Sequence, residues 1–285
     1  MNKSISALQQ ATRQNRQDWR WQFKNRITAP ETLGLLLQKP APEQKIIKQI
    51  AAVYPLAVTP YYLSLVNREN ESDPIMAQFF PQPQETVSAQ SGKEDPLEED
   101  VYMPVPKLVQ RYPDRCLALV TEICATYCRH CNRKRFWSAS SRISLKTRLA
   151  KMIGYIAATP QIREVIISGG DPLILDDPAL EGLLAALRTI RHVEVLRIGS
   201  RTPVVMPMRI TRDLCRILKR YRPLWFNTQF NHPQEITAAS ARACSMLLEA
   251  GIPVSNQSVL LKGINDSPPV MKNLLYGLQK ISVRP

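Results

Sequence analysis

Residues 124–131 read CATYCRHC and place Cys124, Cys128 and Cys131 at the spacing C-x3-C-x2-C, with His130 against the last thiol. Thiols this close, in a chain without a secretory leader pattern, point to metal ligation in a reducing cytosol rather than to disulfides. Three are too few for a closed tetrahedral zinc site. His130 could complete such a set only by turning back past its neighbour Cys131. A [4Fe–4S] cluster held by three cysteines leaves one iron open to a chelating ligand. The spacing favours the cluster, with zinc or plain buried thiols as the alternatives. Cys116, Cys215 and Cys244 sit in apolar surroundings and are expected to be buried small hydrophobes.

A second chemical element follows at 168–173, SGGDPL. Gly169 and Gly170 would let the backbone approach a bound molecule closely, and the Asp171 carboxylate could take an ammonium group. Taken alone, such a turn is common at strand ends.

The elements that must position these residues alternate. Apolar, β-prone runs at 116–123, 164–170, 194–200, 224–230 and 253–261 predict strands. Each is followed by a helical pattern, at 145–158, 178–190, 211–221, 237–250 and 268–281. The first helix gathers Leu145, Leu149, Met152, Ile153 and Ile156 on one face behind an N-cap at Ser144. Gly251 would end the fourth helix as a C-cap. Strand-then-helix units in series predict an α/β fold, a parallel sheet whose right-handed crossovers curl it into a partial (β/α) barrel of about five units. Chemistry in such a barrel gathers at the C-terminal ends of the strands. Cys124, Ser168 to Asp171, Ser200-Arg201, Asn231-His232 and Lys262-Gly263 all fall there. The final SVRP reads as the approach to a further strand.

Residues 1–110 are expected to form a mainly helical N-terminal arm beside a barrel over 111–285. Helical periodicity covers 31–37 and 43–54, bounded by Pro30, Pro40, Pro42 and Pro55, while 60–66 fits strand or helix. Residues 67–106, with EDPLEED at 94–100, are too polar to form a core and read as a segment wrapping the larger body. The composition, 44% hydrophobic and 22% charged over 285 residues, is that of a globular protein. A net charge of +14 raises nucleic acid as a partner, but the basic residues are dispersed and no nucleic-acid-binding motif accompanies them. No apolar run of membrane-spanning length occurs, so a cytoplasmic protein with no membrane partner is expected.

Together CRHCNRKRFW, RYPDR, SGGDPL, RIGSRTPVVMPMRIT, NTQFNHPQEIT and NQSVLLKGIND resemble the lysine 2,3-aminomutase family of the radical S-adenosylmethionine (SAM) superfamily. The likeness runs from residues 18–21 through TPYYLSL and DPLEED to the end of the chain. It implies an isomerase that interchanges an α-amino group with a β-hydrogen, in the first instance converting L-lysine to L-β-lysine. It also implies a [4Fe–4S] cluster on Cys124, Cys128 and Cys131, SAM chelated at the open iron, and pyridoxal 5′-phosphate (PLP) as the amino carrier. Reduction of the cluster would cleave SAM to a radical that takes the substrate β-hydrogen, the cofactors performing the hard step while the protein orients them. The implied SAM contacts are Gly169, Gly170, Asp171 and Gln257, with His130 against the adenine. Arg133 would clamp the substrate carboxylate through a bidentate fork, and Arg111 and Arg115 would flank the PLP phosphate.

The chain departs from the family pattern at Gln229, where histidine is common. Asp266 reads as a cap rather than a substrate ligand. The family's Schiff-base lysine and two aspartates for the substrate side chain lie in a segment beyond Pro285, and Lys262, Lys272 and Lys280 do not match that lysine. Turnover is therefore expected to need that segment from elsewhere. The alternatives are an inactive fragment or cluster-binding remnant, an aminomutase for glutamate or arginine, or a source of β-lysine for modifying elongation factor P. The expected partners are a small amino acid and a reductant for the cluster; a homo-oligomer is left open.

Overall fold

The computed structural model describes residues 3–87, 92–137 and 143–285. Among these residues six strands form one open sheet in chain order: β1 Leu108–Tyr112, β2 Arg115–Thr121, β3 Glu164–Gly169, β4 Val195–Gly199, β5 Leu224–Thr228 and β6 Val254–Asn256. β2 to β6 run parallel, each joined to the next through a helix. The helices after β2 to β6 are Leu145–Ala157, Asp177–Arg188, Arg212–Arg220, Ala238–Glu249 and Pro268–Lys280. These are the strand-helix units that the periodicity predicts, and the sheet is the expected partial barrel.

Period-two alternation decides which residues face the helices and which face the hollow of the sheet. Val165, Ile167, Leu196, Ile198, Leu224 and Phe226 point outward and are essentially inaccessible, packed into one core with Leu180, Leu184, Leu214, Leu218 and Leu247 from the helices. Their strand neighbours Leu117, Leu119, Thr121, Ile166, Ser168, Arg197, Gly199 and Asn227 line the concave side. Four of the helices begin on a side-chain cap. Ser144, Asp176, Thr211 and Thr237 accept from Thr147 N, Ala179 N, Leu214 N and Ser240 N at 2.9–3.2 Å, each cap contributing about 1 kcal/mol.

Two elements differ from expectation. β1 pairs antiparallel with β2 through the Pro113-Asp114 turn, although LVQRY carries too little alternation to announce a strand. β6 spans only Val254–Asn256 of the run expected over 253–261. Its ladder ends because asparagine side chains take over the backbone groups. Asn256 accepts from Phe230 N at 2.7 Å and donates to Phe230 O at 3.0 Å, and Asn265 donates to Asn231 O and Val259 O at 2.9 Å. Such local bonds compete with sheet formation. Within SVRP, Arg284 forms an isolated parallel bridge with Ser255 of β6.

The arm is helical at Trp19–Lys24, Pro30–Leu36 and Ala41–Val53, and 60–66 resolves as a helix over Pro60–Leu63 capped by Thr59. Its apolar residues Ile27, Leu33, Tyr62, Ile75 and Phe79 are buried in the same core as the barrel. The arm also grips the cysteine loop by its backbone. Ala57 O accepts from Tyr127 N at 2.9 Å and Gln78 O from Arg129 N at 2.8 Å. Arm and barrel therefore share one cooperative core. Phe79 stands edge-on to Tyr62 with ring centroids 5.9 Å apart, so Phe79→Ala should cost about 3–5 kcal/mol. In urea unfolding followed by circular dichroism, the loss should appear as one earlier transition for the whole chain, not as separate melting of the arm.

Candidate active site

At the C-terminal ends of the strands the concave face opens into a cavity of about 690 Å³. Cys124, Cys128, His130, Cys131, Arg133, Gly169, Gly170, Asp171 and Gln257 all line it, as does Gln229. The loop after β2, the SGGDPL turn after β3 and the segments after β4, β5 and β6 supply these residues, so the spatial convergence follows directly from parallel strand order. Arg111 and Arg115 do not reach this cavity. They line an adjoining one of about 190 Å³ toward the other end of β2, which shares Leu97, Leu117 and Ile166 with it. Asp266 lines neither; it accepts from Gly263 N at 2.9 Å and closes a surface turn. Cys116 is core, as are Cys215 and Cys244, and burial pushes these thiols up to about 12, 11 and 12 respectively.

The three loop thiols share a wall without converging on one point: among the described residues no three His, Cys, Asp or Glu side chains gather about a single metal ion. Soft thiolate donors of this kind suit iron–sulfur clusters, as they also suit zinc. Cys128 accepts a hydrogen bond from Arg201 Nη1 at 2.8 Å, and Cys131 accepts from Arg133 N at 3.4 Å. Burial, then Asp171 and the other two thiols, pushes Cys124 well up from the ordinary thiol range. A cation at the cluster position would reverse that balance.

Arg201 was not singled out as a site residue by sequence reasoning beyond its place on the strand-end rim. Its side chain is 7% exposed. It donates to Cys128 Sγ, Gln229 O at 3.1 Å, Tyr62 OH at 3.1 Å, Glu235 Oε1 at 2.7 Å and Gln78 Oε1. Glu235 is fully buried and also accepts from Tyr62 OH at 2.6 Å and His232 N at 3.0 Å. Burial pulls the Arg201 guanidinium down, but Cys128, Tyr62 and Glu235 outweigh it and hold it charged. An arginine directly after an apolar strand, in GSRTPVV, was the available signal; Glu235 was hidden inside HPQE, where it also caps the turn Pro233–Glu235.

The glycines are required by close approach. Gly169 has φ +131°, and a Cβ there would strike the Thr121 backbone; a Cβ on Gly170 would strike the Ile123 carbonyl. The β3 turn thus lies against the strand end that leads into Cys124. Asp171 is buried and accepts from Leu173 N at 3.0 Å, Ser200 Oγ at 2.7 Å and Arg201 N at 2.9 Å. It braces β3 to β4, and burial lifts its carboxyl to about 6 despite those donors. Three acceptances leave limited capacity for a ligand ammonium. His130 is pushed down to about 3 by burial, with Arg201 and Lys134 adding to it, and its Nε2 is buried without a partner. A neutral ring with one unmet polar atom suits an aromatic ligand carrying its own donor or acceptor.

Arg133 holds a carboxylate, but one from the chain itself. Its Nε lies 3.0 Å from both Glu99 oxygens and its Nη2 2.7 Å from Oε1. The fork is engaged side-on through Nε and Nη2; among the described residues no hydrogen bond engages Nη1. Arg111 donates to Leu97 O and Arg115 pairs with Asp114 at 3.1 Å. Removing the guanidinium of Arg201 strips the hydrogen bond from Cys128, and hydrogen bonds to sulfur raise cluster potentials. Arg201→Gln should therefore shift the midpoint potential of a reconstituted cluster to more negative values, read by a redox titration followed by electron paramagnetic resonance. Gly170→Ala should lower iron incorporation sharply, read by iron analysis, because the Ile123 carbonyl leads into Cys124.

Comparison with known proteins agrees with this geometry. The radical SAM superfamily matches residues 119–274, more than half of the chain. L-lysine 2,3-aminomutase of Clostridium subterminale is 50% identical over 268 residues, covering 94% of this chain and 64% of its own length. The protein of that name from Bacillus subtilis is 44% identical over 283 residues, covering 99% and 60%. Glutamate 2,3-aminomutase of Clostridioides difficile is 40% identical over 283 residues, covering 99% and 67%. The chain thus spans less than two thirds of the length of the first two. With the cysteine loop, glycine turn and barrel in place, the chain belongs to the radical SAM superfamily and, within it, to the 2,3-aminomutase family.

Proposed function

We propose that this chain binds a [4Fe–4S] cluster and SAM and serves a 2,3-aminomutase whose substrate is L-lysine. The observation that carries the proposal is the cavity itself. It places three thiols, the glycine turn, the neutral His130 and Arg133 on one wall system, in a chain about half identical to an L-lysine 2,3-aminomutase. Bound there, the cluster and SAM would supply a carbon radical for hydrogen abstraction, and PLP would carry the migrating nitrogen. Cys124, Cys128 and Cys131 would hold the cluster, and Arg201 would donate to the Cys128 sulfur.

The remaining roles belong to the chain's own side chains. Gly169 and Gly170 let a ligand lie against bare backbone. Gln257 and Asp171 offer polar atoms at the same rim, and His130 a ring face. Arg133 would fix a carboxylate in the plane of its guanidinium, with Glu99 holding that guanidinium in register. Arg111 and Arg115 would bind a phosphate in the adjoining cavity. A small amino acid and a reductant for the cluster are the implied partners, and the family resemblance implies the cytoplasm as the compartment.

The test is anaerobic reconstitution with iron and sulfide, followed by dithionite, SAM, PLP and separately lysine, glutamate or arginine. Lysine should stimulate formation of 5′-deoxyadenosine and methionine above the other two amino acids, and β-lysine should appear where the catalytic set is complete. Stimulation by glutamate alone would reassign the substrate; absence of both cluster and SAM cleavage would sink the proposal. Arg133→Lys should raise KM for the amino acid about 10- to 100-fold, the loss expected when a bidentate clamp worth about 1.5–3 kcal/mol becomes a point charge.

A further inference from the structure

The cations of the cysteine loop are matched by acids, Arg129 and Lys134 by Glu85 and Arg133 by Glu99, but a second basic stretch is not. Residues 13–26 carry Arg13, Arg16, Arg20, Lys24 and Arg26 against one acid, Asp18. Asp18 is already committed as a cap, accepting from Arg20 N at 2.9 Å. Among the described residues none of the five cations makes an ion pair. Arg13, Arg16, Arg20 and Lys24 follow one another at intervals of three and four along two short consecutive helices, Arg13–Gln17 and Trp19–Lys24, and all four are exposed. Arg20 lies over the Trp19 ring, its guanidinium carbon 4.7 Å from the ring centre. A run of like charges without counter-charges repels itself and presents a field of one sign to solvent.

The strip ends on the cysteine loop. Arg26 Nη1 donates to the carbonyl of Cys124, whose thiol is one of the three at the main cavity. Arg26 Nε donates to Phe23 O at 2.9 Å, and the guanidinium carbon stands 3.8 Å from the centre of the Phe23 ring. Arg26 is thereby clamped between the arm and the Cys124 backbone. Ile123, the residue before Cys124, is 45% exposed and lines neither cavity. Within the loop Tyr127 stacks on Trp137, ring centres 4.6 Å apart, and Trp137 lines the main cavity. From outside, the way to the thiols passes an exposed apolar residue, a guanidinium bonded to Cys124 and two stacked rings. An apolar centre with a charged rim is the anatomy of a protein interface, and a field of one sign steers a protein of the other.

We propose that residues 13–26, with Ile123, form the docking face for a small acidic protein that carries single electrons, and that Arg26 joins this face to the backbone of Cys124. In the transfer one electron leaves the carrier. Where the carrier holds an anionic flavin hydroquinone, that flavin becomes the neutral semiquinone and the cluster passes from its oxidised to its reduced form; no bond breaks and no proton moves. The inference rests on the cluster assignment above and adds the surface through which the electron arrives. A nucleic acid would also be drawn to a basic strip, but an electron carrier is the partner that gains from the strip's contact with a residue of the cluster loop.

The full chain, reconstituted with its cluster, is mixed anaerobically in a stopped-flow instrument with an acidic flavodoxin in its hydroquinone form, and bleaching of the cluster absorbance gives a second-order rate constant. That constant should fall about tenfold or more between about 20 and about 500 mM salt. Reversing the strip, Arg13→Glu with Arg16→Glu, Arg20→Glu and Lys24→Glu, should lower it at least about tenfold at low salt, while iron content and reduction by dithionite stay unchanged. The milder pair Arg13→Gln with Arg16→Gln should lower it about threefold, which keeps a readout should the fourfold variant lose iron. Reversing four exposed cations on the outer helices, Lys219→Glu with Arg242→Glu, Lys272→Glu and Lys280→Glu, changes the net charge equally and should lower the constant less than about twofold. Equal slowing by the two fourfold sets, or a flavodoxin rate that neither strip variant changes, overturns the proposal. Loss of binding to a labelled RNA with an unchanged flavodoxin rate overturns it in favour of nucleic acid. A cluster that dithionite reduces and the flavodoxin does not rejects this inference alone; a chain that takes up no cluster rejects the radical SAM reading and this inference with it.

Discussion

The Arg201–Glu235 pair is the constraint around which the rest is arranged. Both groups are cut off from water, and an ion pair so placed is costly to break: removing one partner leaves a buried charge, typically a loss of about 3–5 kcal/mol. The pair survives because every remaining donor and acceptor has a use. Tyr62 and Gln78 come from the arm, Gln229 and Glu235 follow β5, Arg201 follows β4, and Cys128 belongs to the loop after β2. One guanidinium thus joins two barrel segments and the arm to a cysteine sulfur. Asp171 adds β3 to the same lattice by accepting from Ser200 and Arg201 N. The geometry around the thiols follows from satisfying two buried charges.

Much of this was legible in the sequence, and the reasons are physical. Strands such as EVIISGG are apolar on both faces where helices cover one side and a cavity the other, so they stand out from their flanks. The helices announce themselves by apolar spacing and by caps such as Ser144 and Gly251. The cysteine loop and glycine turn are legible because their chemistry tolerates few substitutes: three thiols for a cluster, and no Cβ at 169 or 170. Less legible were parts whose meaning depends on distant partners. LVQRY becomes a strand only because Leu108 and Val109 find Ala118 and Leu117 across a turn. Glu235 looks like an ordinary cap until Arg201 and Tyr62 are seen against it.

The polar segment 94–100 has a role that composition alone did not disclose. The cysteine loop is strongly basic, RHCNRKR, and an unbalanced cluster of cations would repel itself in a half-buried loop. The arm supplies the compensating acids. Glu85 pairs with Arg129 at 2.7 Å and Lys134 at 2.6 Å, Glu99 with Arg133 at 2.7 Å, and Asp95 with Arg135 at 3.0 Å. Several of these side chains are nearly inaccessible, so the pairs are screened far less than surface bridges. The acidic strap therefore orders the loop that carries the thiols, which explains why it lies over the cavity and contributes Leu97 to both of its compartments.

This division of charge also bears on how an anionic ligand could enter. Glu99 already occupies one edge of Arg133, and Leu97 O engages Arg111. A ligand carboxylate or phosphate arriving at either arginine meets a guanidinium that is partly satisfied yet retains free N–H donors, so binding need not break the strap's ion pairs. Had these arginines been unpaired, their own desolvation would have opposed placing them in the cavity. Pairing on one edge holds the planar fork in place while the other edge faces the cavity. The excess of arginine and lysine over acidic residues is then divided between two tasks, ordering the cysteine loop against the arm and presenting preset donors to anionic groups in the barrel.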